Sequence, residues 1–152
     1  GYGVAAVVAR DFGETHGVND RAQLAAAEAV LRRRTNQEWL RRGVTMVDPG
    51  CTYVDTTVEL GTDVTLFPGT ILQGHTVIGE GSEIGPDTRL VDCVVGAHAT
   101  VEQTTARDAR IGRGAHVGPY AHVAPGGVLA DGTVTGPFFA LPDPTPTPDP
   151  GS

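Results

Sequence analysis

Five histidines (His16, His75, His98, His116 and His122), two cysteines (Cys51 and Cys93) and the step Asn19-Asp20 carry the side chains here best suited to proton transfer, nucleophilic attack or metal binding. Their spacing decides how far that chemistry goes. The cysteines lie far apart, with no Cys-x-x-Cys and no histidine at metal-ligand spacing, so they read as buried free thiols. That usage suits a reducing compartment. His116 and His122 stand six residues apart, one repeat of the pattern described below, which sends them to different faces. The histidines therefore read as surface groups. Asp87, Asp92, Asp108 and Asp131 fall in turns or loops and read as solvated acids. Asn19 reads as the cap of a helix, a place where a side-chain oxygen accepts an otherwise unpaired backbone N–H.

The elements that must position these groups follow from composition and period. Eleven Lys and Arg against eighteen Asp and Glu give a formal charge of −7, which argues against a nucleic-acid partner. The basic run Arg32-Arg33-Arg34, with Arg41-Arg42 behind it, reads as a solvated helix face. No apolar run approaches the length of a membrane span. The chain begins without Met, directly before the apolar residues 4–8, which read as one strand needing a sheet partner. We expect that partner upstream, in a part of the protein that precedes this fragment.

From Asn19 or Asp20 the sequence predicts a long helix to about Arg42, rich in Ala and Leu and stopped by Gly43. Leu24, Ala27 and Leu31 make one modest apolar stripe, and Trp39 is placed to pack onto the next element. At 1.5 Å per residue, such a helix is an arm of about 33 Å.

From about Asp48 a six-residue period takes over. Aliphatic side chains mark it at Leu60, Leu66, Leu72, Ile78, Ile84 and Leu90, then after one deletion at Val95 and Val101. It resumes at Ile111, Val117, Val123 and Leu129. Two positions before each aliphatic residue stands a small or β-branched one, so both point to the same side of a strand. Glycine recurs at the corners. Three strands per coil, eighteen residues per turn, make a thin solenoid over about residues 54–134, with roughly four coils. Residues Thr104 to Arg110 carry four extra residues and read as a loop projecting from a corner. Phe138 and Phe139 are placed to cap the open end. Beyond them, alternating prolines predict a disordered or polyproline-like tail.

The order Gly-Val-Asn-Asp-Arg-x-Gln-Leu-Ala (Gly17 to Ala25), long helix, Gly-Val-Thr-Met-Val-Asp-Pro (Gly43 to Pro49), then hexapeptide repeats, resembles the bifunctional N-acetylglucosamine-1-phosphate uridyltransferase and glucosamine-1-phosphate acetyltransferase. The resemblance covers about residues 2–134. It implies that the solenoid is a left-handed parallel β-helix and that the protein is a cytoplasmic homotrimer in the UDP-N-acetylglucosamine branch of cell-wall (peptidoglycan) synthesis. It also implies that Asn19 matches an asparagine helping to hold Mg²⁺ at the uridyltransferase site, where UTP and a sugar phosphate react. The other residues of that site lie upstream in the family. For acetyl transfer from acetyl-CoA the family has an Arg-Pro-Gly motif whose arginine contacts phosphate. This chain reads Val123-Ala124-Pro125-Gly126, and alanine has neither charge nor donors.

The expected layout is a mainly β chain with a nucleotidyltransferase remnant over 1–19, a helical linker over 20–43, the β-helix over 48–140 and a tail over 141–152. The expected function is that of the C-terminal part of a UDP-N-acetylglucosamine pyrophosphorylase, in which the β-helix is a trimerising scaffold lacking the acetyltransferase residues. By itself the fragment is expected to be inactive. A hexapeptide acetyltransferase with unfamiliar residues and a purely structural solenoid are the alternatives.

Overall fold

A computed structural model describes residues 20–142. The strand read over 4–8, Asn19, His16 and the Pro-rich tail from 143 lie outside the described residues. Helix α1 (Asp20–Arg41) is followed by sixteen short strands. The first coil holds β1 (Thr45–Met46), β2 (Thr52–Val54) and β3 (Glu59–Leu60); the second β4 (Thr65–Leu66), β5 (Thr70–Gln73) and β6 (Val77–Ile78). The third holds β7 (Glu83–Ile84), β8 (Arg89–Val91) and β9 (Val94–Val95); the fourth β10 (Thr100–Val101), β11 (Thr104–Arg107) and β12 (Arg110–Ile111). The fifth holds β13 (His116–Val117), β14 (Ala121–Val123) and β15 (Val128–Leu129), and β16 (Ala140–Leu141) follows.

All pairings are parallel and, apart from β14 with β16, join each strand to the one three further on, giving three sheets of five, six and five strands. The expected β-helix is therefore present, but with about five coils rather than four. The difference lies at both ends and at β11. β1 already pairs with β4, ahead of the point at which the hexapeptide frame becomes visible, and β16 adds a further rung on β14. The repeat hides β1 because Thr45↔Thr65 spans twenty residues instead of eighteen.

The interior is three columns of aliphatic side chains. Leu66, Ile84, Val101 and Val117 form one, Leu72, Leu90 and Val123 belong to the second, and Ile78, Val95, Ile111 and Leu129 to the third. Beside them lie buried Thr70, Thr76 and Ser82, whose hydroxyls donate to the carbonyls of Phe67 (2.7 Å), Gln73 (2.8 Å) and Gly96 (2.9 Å). A small side chain that bonds its own corner, or for Ser82 the next coil, thus fills the narrow part of the prism without leaving a polar group unpaired. At one corner glycine is required by proximity: a Cβ on Gly79 would lie 2.5 Å from the Ala97 nitrogen of the next coil.

The loop expected over Thr104–Arg110 is a correction. Thr104–Arg107 is β11, paired on both sides, with Thr104 and Ala106 buried. The frame is not lengthened there; two repeats are shortened to five residues, running Val101, Ala106, Ile111. Ala106 stands in register between Leu90 and Val123, and its small side chain hid it from an aliphatic count. Likewise Cys93, two positions before Val95, takes a fully buried inner place, and Val94 between them faces outward.

Helix α1 carries a stripe that continues the expected one: Leu24, Ala27, Leu31 and Thr35 are partly shielded and Asn36 is buried. Trp39 packs against the solenoid core as expected. Asn36 Nδ2 donates to the carbonyls of Pro49 (2.9 Å) and Thr52 (3.0 Å), fastening the helix to the first coil. Gly43, in the left-handed region at φ +96°, ends the helical segment.

Candidate functional site

Where α1 lies against the first two coils, the surface opens into a cavity of about 300 Å³. Glu28, Leu31 and Arg32 of the helix form one wall, and Tyr53, Asp55 and Ile71 of the solenoid form the other. β2 and β5 position the latter: on a strand with Thr52 and Val54 turned inward, Tyr53 must point out, and Ile71 lies in register beside it. The Arg32 guanidinium sits 4.7 Å from the Tyr53 ring centroid, a cation–π contact. Gln73, at the far rim, is held by Arg89, whose Nε donates to its Oε1 at 2.9 Å. Asp55 is committed to the backbone, its Oδ2 accepting from Gly74 N at 3.1 Å. None of these residues was singled out as a site from sequence. The available signal was the pair Glu28 and Arg32, one helical turn apart and followed by an outward tyrosine.

The sequence candidates are dispersed. His116 lies on β13 and His122 on β14, on different sheets as expected. His98 and His116 are eighteen residues apart, a full coil by the usual count. This coil is only sixteen residues long, so Thr100, not His98, stands beside His116. The His116 Nε2 is 3.5 Å from Glu102 Oε1, at the surface. Asp92 and Asp131 are more than solvated turn acids: they accept backbone N–H groups of the neighbouring coil, from His75 at 2.8 Å and Arg113 at 2.9 Å. Ala124 is buried at the turn after β14, where its N–H donates to the Leu141 carbonyl at 3.0 Å.

Of the two thiols only Cys93 is buried; Cys51 is exposed, against expectation, because it ends a single 3-10 turn on the outside of the first coil. Hydrogen bonding to the Asp48 carboxylate, and its negative charge, push the Cys51 thiol above its ordinary range. Burial does the same for Cys93. The end cap is also partly revised. Phe139 packs against the core with Leu141, while Phe138 stays exposed and stacks on Tyr120, ring centroids 5.4 Å apart. Among the described residues no cluster of three or more His, Cys, Asp or Glu is arranged to hold a metal, and no helix is long and apolar enough to cross a membrane.

No family model matches the chain. Two curated relatives fix its kinship. The bifunctional protein GlmU of Thermobifida fusca is 51% identical over 112 residues, covering 74% of this chain and 23% of the relative. The GlmU protein of an Exiguobacterium species is 46% identical over 109 residues, covering 72% of this chain and 24% of the relative. The chain's homologues are thus bifunctional GlmU proteins, and it spans about a quarter of their length. Among solved structures, a GDP-perosamine N-acetyl transferase from Caulobacter crescentus, solved with CoA and GDP-perosamine, aligns with a TM-score of 0.52 at 21% identity. The alignment covers 74% of this chain and 59% of that one. At that identity the likeness concerns the fold alone.

Proposed function

We propose that this chain is the joint and scaffold of a GlmU-type protein: it couples an upstream uridyltransferase domain to a trimerising β-helix that has lost acetyl transfer. The observation that carries this reading is the sequence identity to bifunctional GlmU proteins, 46–51% over 72–74% of the chain. In this reading UTP and N-acetylglucosamine-1-phosphate react in the upstream domain to give UDP-N-acetylglucosamine for the cell wall, in the cytoplasm. Asn19 would contribute an amide oxygen, a hard donor of the kind Mg²⁺ takes, and that ion would supply neutralisation of phosphate charge.

Support for the scaffold role comes from the outward face of the third sheet. Val77, Val94 and Val128 stack there with Arg110 between the last two, and Val94 and Val128 are 40% and 63% exposed. Three outward valines in one column, around Arg110 and beyond Glu59, suit burial against another copy. Loss of acetyl transfer rests on Ala124, which supplies no cation where the family has one to meet phosphate. The direct test is to incubate the chain with acetyl-CoA and glucosamine-1-phosphate and follow free thiol. No release above a blank is expected; turnover would refute the loss.

A second reading, a hexapeptide acetyltransferase with its own residues, draws on one observation. His116 has a carboxylate neighbour, Glu102, of the kind that orients an imidazole as a general base. Under that reading any thiol release disappears in His116→Ala; if it persists there, this reading fails.

A further inference from the structure

Glu28 and Arg32 are one helical turn apart, the spacing at which opposite charges ordinarily pair, with Cβ atoms about 5–6 Å apart. Here they make no ion pair with each other, nor with any other described residue. Arg32 is drawn instead over the Tyr53 ring. The result is one cation and one anion, each without a counter-charge among the described residues, on the same wall of the cavity of about 300 Å³. The other carboxylate there, Asp55, already accepts from Gly74 N through Oδ2 at 3.1 Å, which leaves Glu28, exposed one turn from Arg32, the freer of the two to meet a positive group. Between and opposite the two charges lie the apolar side chains of Leu31 and Ile71. Gln73, tied through its carbonyl oxygen to Arg89, keeps its amide N–H groups as donors at the rim.

We propose that this cavity binds a small zwitterion with an apolar side chain, an α-amino acid of the leucine type. Its carboxylate meets the Arg32 guanidinium, its ammonium meets Glu28, and its side chain covers Leu31 and Ile71. A plain anion would leave Glu28 unpaired and set two negative charges near each other. A plain cation would do the converse to Arg32. A ligand with both charges pairs with both residues at once. Because the cavity is walled by helix on one side and solenoid on the other, its occupant also bridges the joint.

The test is a titration of the 152-residue chain with L-leucine, followed by backbone amide chemical shifts. Parallel titrations use 4-methylpentanoate, which lacks the ammonium, 3-methylbutylamine, which lacks the carboxylate, and glycine, which lacks the side chain. The expected result is a saturable shift at residues 28–35 and 53–73 with leucine, and binding of each analogue weaker by roughly tenfold or more, as the loss of one charge-assisted or apolar contact implies. Glu28→Gln and Arg32→Gln, checked for native helicity by circular dichroism, each weaken leucine binding by a similar factor. Absence of saturable shifts, equal binding of a singly charged analogue, or unchanged affinity in both variants would overturn the proposal.

Discussion

Asn36 reaches from the middle of α1 to Thr52 at the start of β2, its Nδ2 donating to the Thr52 carbonyl at 3.0 Å while also serving the carbonyl of Pro49. Both carbonyls are thereby satisfied where helix meets solenoid. Asn36→Leu keeps the volume and removes both donors, leaving two shielded acceptors unpaired. A loss of about 1–3 kcal/mol is expected from urea unfolding. A change below about 0.5 kcal/mol would mean that the joint is held by apolar packing around Trp39 instead.

Ala106, set between Leu90 and Val123, gives the sharpest stability contrast. Ala106→Asp puts an unpaired charge inside the prism and is expected to prevent cooperative folding. Arg107→Asp, one residue on and exposed, is expected to stay within about 0.5 kcal/mol of the parent. Equal tolerance of the two would restore the projecting loop.

That same pair of repeats marks how far the sequence could be read. Leu60 to Leu90 keep strict spacing because each corner there turns in the same number of residues, so period alone placed them. Between Val101 and Ile111 the corners tighten and an alanine takes the inner place, and neither change leaves an aliphatic signal. The cavity was less legible still. It depends on Arg32 choosing Tyr53 over Glu28, a competition between two contacts of similar strength that only the packing of α1 on the first two coils decides. The cysteines show the same division. Burial of Cys93 follows from its place in the repeat, whereas exposure of Cys51 depends on where a single 3-10 turn faces.

The two thiols are expected to separate cleanly in a labelling experiment. Cys51 reacts with a thiol reagent in the native protein, and Cys93 only on unfolding. Reactivity follows the thiolate fraction, and Asp48 raises the Cys51 pKa, so the rate is held down at neutral pH and keeps climbing beyond the ordinary thiol range before it levels off. Asp48→Asn removes the charge but keeps the oxygen that accepts from Gly50 N at 3.0 Å. It is expected to quicken labelling at pH 8. An unchanged rate would show that Asp48 does not govern this thiol.

The outward valines are expected to matter only in the assembly. Val94→Glu and Val128→Glu leave the three interior columns intact, so circular dichroism of the dilute protein should be unchanged. Each places a carboxylate in the column proposed to meet another copy, and together they are expected to abolish self-association. Retained association in the double variant would move the interface to another face.

Light scattering on the purified 152-residue chain bears most directly on the scaffold reading. The predicted mass is three times the 15.8 kDa of one chain, constant across a tenfold dilution in the micromolar range. A monodisperse particle of one chain mass over the same range would contradict it.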